Sequence, residues 1–151
     1  MRTCLLFVLS LFCCPAWAAS TCPVLDGAAA AASPRTPAKN SVDRKQMLAP
    51  LRAFVKKMSN LDVVFVVTYL KTDCRWAWVE TQPQSSDGSQ HYEPVTALLA
   101  RRNGTWTYVE SPPEWAICEE DPDCVDQSRY FRKLAARHPG LSPAILPAGV
   151  R

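Results

Sequence analysis

Histidine is scarce in this chain, with only His91 and His138 among 151 residues. A Cys/His or Ser/His nucleophilic site needs one of them beside an activated nucleophile, so chemistry of that kind has very few bases to draw on. Metal-ligand spacings are missing too. There is no C-x2-C or H-x3-H pair, and the five residues between Cys118 and Cys124 make a gap wider than zinc sites use. No basic run exceeds two residues, as at Lys56-Lys57 and Arg101-Arg102, and the net charge is only +3. Neither a nucleic-acid partner nor an acidic membrane surface is implied by so small and scattered an excess. The sequence holds no internal repeat.

The first eighteen residues carry the clearest signal that is present. Arg2 supplies a positive start, Cys4 to Cys14 an apolar stretch, and Ala16-Trp17-Ala18 a small-residue cleavage pattern, which together read as a signal peptide. The stretch is too short for a membrane-spanning helix. A mature chain beginning at Ala19 would keep 133 of the 151 residues, enough for one modest core, and would lose only the charge of Arg2. Periplasmic or secreted localisation follows, with no stable membrane insertion after leader removal. A lipid anchor at Cys22 is disfavoured, because Ala19-Ser20-Thr21 lacks the apolar residue expected three positions before it.

Four cysteines remain beyond the leader: Cys22, Cys74, Cys118 and Cys124. An even number in an exported chain reads as disulfides, with three connectivities open. The short spacing and the bend at Pro122 favour Cys118–Cys124. Cys22–Cys74 would then tie the N-terminal tail to the turn between the first two strands.

The pattern divides the rest into a tether and a domain. Residues 19–40, with their alanine run and prolines, read as a flexible linker, and residues 41–151 as a single α+β domain. Ser41 is a plausible helix cap, and Met47, Leu51, Phe54, Val55 and Met58 recur at helical spacing. Pro50 implies either a kink or two short helices, and Asn60 a stop. Val63 to Leu70 is apolar on both faces and reads as a central buried strand. Trp76 to Thr81, ended by Pro83, makes a second strand, and Pro94 to Arg101 a third. Asn103-Gly104 is a strong hairpin signal leading into Thr105 to Glu110. After Pro112-Pro113, Asp123 and Asp126 precede a second helix with Val125, Tyr130, Phe131 and Leu134 on its apolar face. Ile145 and Leu146 are expected to pack back on the domain. The fold class is thus a four-stranded antiparallel meander covered by an N-terminal helix, with a second helix after the sheet. Cystatin-like and NTF2-like domains share that arrangement by analogy.

Val63-Val64-Phe65-Val66-Val67, Trp76-Ala77-Trp78-Val79, Pro83-Gln84 with Asp87-Gly88-Ser89, and Ala97-Leu98-Leu99 with Asn103-Gly104-Thr105-Trp106 are similar to a broad group of small exported bacterial proteins with no assigned activity. The resemblance runs over residues 44 to 147 and involves mainly fold-defining positions. It implies the sheet and supplies no catalytic residue. The Cys22 and Cys74 pair is less typical of that group.

Several residues stand as candidate sites. Trp76 and Trp78 share one strand face and Trp106 and Tyr108 another; they are either core or, if the faces coincide, an aromatic platform. Glu119, Glu120 and Asp121 form an acidic loop between Cys118 and Cys124. With Trp115 and Tyr92 they are candidate binding residues for a basic partner, and calcium is the lesser reading. His138 suits a helix C-terminus. Asn103-Gly104-Thr105 also spells a glycosylation sequon, which the hairpin turn explains. The function expected is a non-enzymatic exported binding protein, such as an inhibitor or an immunity-type partner of another exported protein, with no cofactor or metal. The alternative is a small envelope hydrolase using His91 with Glu93 or Asp87.

Overall fold

The computed structural model describes Cys22, residues 33–113 and residues 125–147. Residues 1–18, expected to be a leader, the alanine run and the expected capping pair Asp123 and Asp126 lie outside the described residues or the described side chains. Helix α1 spans Val42–Ser59. Four strands follow: β1 (Val64–Thr72), β2 (Trp76–Gln84), β3 (Val95–Arg102) and β4 (Thr105–Glu110). Helix α2 covers Val125–Arg137, and a short 3-10 turn Pro143–Ile145 comes last.

Local chemistry fixes the ends of α1. The Ser41 hydroxyl accepts from the Arg44 amide at 3.2 Å, and Asn60 ends the helix in the left-handed region at φ 56°. Between them the helix is continuous through Pro50, at the cost of the bond that the Gln46 carbonyl would otherwise receive.

The sheet is an antiparallel meander in the order β1-β2-β3-β4. Asn103 and Gly104 both have positive φ, 50° and 79°, as a two-residue type I′ turn requires. The β1–β2 turn is built differently. Thr72 and Asp73 side chains accept the Cys74 amide and the Arg75 and Trp76 amides respectively, letting Cys74 adopt φ 71°.

Both faces of the sheet are covered. Met47, Leu48 and Leu51 of α1 pack on Leu70, Ala77, Val79, Ala97, Leu99 and Trp106. On the opposite face Tyr130, Phe131 and Leu134 of α2, with Leu141, Ile145 and Leu146, bury Trp78 and Leu98. The Tyr69 hydroxyl reaches the Ile145 and Leu146 carbonyls at 3.0 and 2.9 Å, so the final turn is bonded to the sheet.

Four details differ from the sequence reading. First, β1 is an edge strand, and Val64 and Val66 remain 44% and 45% exposed. A valine run gives the same pattern whether its second face is covered or open, and α2 and the last turn pack elsewhere on that face. Second, Pro83 lies within β2 opposite Phe65. Its carbonyl accepts from Tyr92, so its missing amide faces the β2–β3 loop and the ladder to β1 is unharmed. Third, Met58 is 70% exposed although it continues the α1 stripe, because the helix end projects past its cover.

Fourth, the described parts of the expected linker, Cys22 and residues 33–40, are held to the rest of the fold. Arg35 and Thr72 exchange both backbone bonds at 2.9 Å, and Pro37 is fully buried. Cys22 is disulfide-bonded to Cys74, with Cα atoms 5.4 Å apart, as expected. Asp43 is buried there, its carboxylate accepting from the Cys22 amide at 2.9 Å and from the Arg35 guanidinium at 2.8 Å. Two donors make that buried carboxylate tolerable. Arg101 adds a bond to the Cys22 carbonyl at 3.2 Å.

Candidate functional site

At Asn60 the chain leaves α1 and turns through residues 61–63 into β1. Phe54, Val55 and Met58 therefore overhang the end of the sheet without filling the space beneath. Val63, Pro83 and Val95 form the floor of the groove that results, and Leu61, Tyr92 and Glu93 form part of its wall. Its volume is about 390 Å³, within the range of natural ligand clefts, ~300–1,000 Å³. Its lining is apolar apart from Ser59, the tyrosine and the single carboxylate of Glu93.

The β2–β3 loop places Tyr92 and Glu93. The Tyr92 amide donates to the Pro83 carbonyl at 2.9 Å, the Gln82 amide group donates to the Tyr92 carbonyl, and the Tyr92 hydroxyl donates to Gln90 at 3.1 Å. The loop tip is ordered by Asp87, which accepts from the hydroxyls of Ser85 and Ser89 and from the Ser89 amide. The Ser85 hydroxyl first, then Ser89, holds the Asp87 carboxyl down to about 2. A carboxylate so stabilised is a weak base.

Of the candidate residues named from sequence, Tyr92 lines the groove. Trp115, Glu119, Glu120 and Asp121, and the expected Cys118–Cys124 bridge, lie outside the described residues. His91 is exposed and meets Gln84 through a backbone bridge; its ring makes no hydrogen bond with Glu93 or Asp87. Glu93 faces the groove and Asp87 its own turn, so the three are not assembled as one unit. Trp76 and Trp78 face α2 whereas Trp106 and Tyr108 face α1, so no aromatic platform forms. Phe54 stacks on Tyr108 at 4.1 Å between ring centroids. Among the described residues, no three His, Cys, Asp or Glu side chains converge as a metal site, and no helix is long and apolar enough to cross a membrane.

A second polar cluster joins the sheet to α2. Glu110 receives the Arg137 guanidinium on one oxygen at 2.8 Å and lies 2.6 Å from the His138 ring nitrogen through the other. The His138 ring tilts against Trp76 at 5.1 Å. This cluster fastens the end of α2 to β4. Burial, with the Glu110 charge behind it, pushes the neighbouring Tyr130 phenol well above its ordinary value.

Sequence reasoning missed Val55, Met58, Leu61 and Val63 as site residues. The available signal was two large apolar side chains, Met58 and Leu61, flanking the helix stop at Asn60. Comparison of the chain with models of protein families, with curated proteins and with solved structures finds no match.

Proposed function

We propose that this chain is an exported, non-enzymatic binding protein that engages another exported protein, in the manner of an inhibitor or an immunity-type partner. The observation that carries the reading is the apolar groove at the end of α1, open to solvent and rimmed by the exposed Met58 and Leu61. A large apolar side chain inserted there would exchange water for Phe54, Val55 and Val63, the kind of central anchor that dominates binding energy. Methionine at the rim adapts to different shapes.

The frame around the groove supports the same reading. Its floor is β-sheet, its loop wall is internally bonded, and a disulfide pins the N-terminal segment at the other end of β1. Such a site enters binding largely preformed and loses little ordering entropy. The leader pattern, the Cys22–Cys74 bond and the resemblance to small exported bacterial proteins support a periplasmic or secreted location.

Site-specific photocrosslinking in the native host tests the proposal. A photoreactive phenylalanine at position 58 or 92 should yield one discrete crosslinked protein that is lost when Val55→Trp fills the groove. The same probe at Arg102, on the far hairpin, should yield none. Equal crosslinking from all three positions, or none from the first two, would overturn the reading.

A further inference from the structure

We propose that the groove takes an extended peptide segment of the partner in which a large apolar side chain is followed by a lysine or arginine. This rests on the binding reading above and adds the chemistry of what is bound. Among the described residues that line the groove, Glu93 is the one carboxylate; it is exposed and has no ion-pair partner among the described residues. The nearby Asp62 is already engaged, with Lys56 Nζ at 2.6 Å. The Lys56 ammonium that could have neutralised this end is thereby turned toward Asp62 and the Asn60 carbonyl. An apolar slot with one unspent negative charge at its lip selects an apolar residue next to a cation.

The loop geometry favours a linear segment. Tyr92 and Glu93 are adjacent in an extended stretch leading to Pro94, which disfavours helical backbone at Glu93. Both line the groove, the Tyr92 ring held through its hydroxyl to Gln90. A bound segment passing along this stretch can place successive residues in the slot and at the carboxylate. The chain's own residues 23–34 are anchored at Cys22–Cys74 and Arg35–Thr72, at the opposite end of β1. A twelve-residue excursion fixed at both ends reaches out only ~20 Å, less than the ~26 Å length of that strand. That tether therefore does not supply the occupant.

The test uses the exported chain with uniform 15N label and two blocked hexapeptides, one containing Leu-Arg and one Leu-Glu, followed by amide shifts. The Leu-Arg peptide should shift Val63, Tyr92 and Val95 selectively and bind more tightly than Leu-Glu, with the difference shrinking at high salt. Glu93→Gln should weaken Leu-Arg binding about two- to fivefold, as expected for an exposed ion pair, and Glu93→Lys should reverse the preference. Met58→Asp, at an exposed position that leaves the core intact, should weaken both peptides. If both peptides bind the groove equally and Glu93→Lys changes nothing, the charge selection is wrong while the binding reading stands. Shifts elsewhere, no shifts at millimolar peptide, or contacts showing residues 114–124 of the same chain in the groove would overturn the inference. The binding reading falls with it only if the crosslinks from positions 58 and 92 are also absent.

Discussion

Breaking the Cys22–Cys74 bond should cost this domain a large share of its stability. The two cysteines are 52 residues apart in sequence, and closing a loop of that length removes chain entropy worth about 4 kcal/mol at 25 °C. Domains of this size have a total of only ~5–15 kcal/mol. The Arg35–Asp43 ion pair and the Arg101 bond to Cys22 would survive reduction, but they act in the folded state and leave the unfolded-state gain untouched. Cys74 already carries its Cβ in the left-handed region, so that backbone cost is present in both redox states and cancels between them. The clean comparison is oxidised against reduced protein in a Cys118→Ser, Cys124→Ser background, followed by tryptophan fluorescence in urea. We expect a loss of about 3–4 kcal/mol with a steeper denaturant dependence on reduction. A loss below about 1 kcal/mol would refute the loop-closure argument and imply that the unfolded chain is already held compact.

Four further outcomes are expected. Pro50→Ala restores the amide donor to the Gln46 carbonyl and should stabilise the fold by about 2 kcal/mol in thermal or urea unfolding, net of the entropy that proline removes from the unfolded chain. Asp87 should titrate near pH 2 by carboxyl carbon NMR; its depressed value stabilises the loop above the unfolded value near 3.8, and that contribution is lost as pH falls through about 2. Ser85→Ala should raise that midpoint. His91→Ala should leave melting temperature and partner crosslinking unchanged, whereas a loss of the cellular phenotype would favour the hydrolase alternative. Non-reducing peptide mapping should recover Cys118 joined to Cys124, and a peptide joining Cys74 to Cys118 would sink that pairing.

The order of elements was legible because its signals are local. Asn103-Gly104 needs only its own two residues to specify a turn, and Ser41 and Asn60 mark the helix ends with their own side chains. Which strand lies at the edge was not legible, since Val64 and Val66 look the same beneath a helix or in water. Which face each β1 residue takes was not legible for a related reason. A bulge at Thr68 breaks the alternation, so Val67 packs toward α1 while Tyr69, two residues on, packs toward α2. The tryptophans sort by register between strands, which no single strand encodes. The groove is an absence of filling where a helix overshoots its sheet, and the helical stripe runs through Met58 without marking where cover stops.

The disulfide also bears on how the chain is assembled. Cys22 and Cys74 are consecutive cysteines in the sequence, and the ring they close contains the whole of α1 and β1. A chain emerging amino-terminus first presents this pair before either Cys118 or Cys124. With Cys4, Cys13 and Cys14 removed by the proposed leader cleavage, oxidation in order of appearance yields the Cys22–Cys74 link directly, with no exchange catalyst needed to correct it. The first half of the fold is covalently committed while three of its four strands are still being delivered.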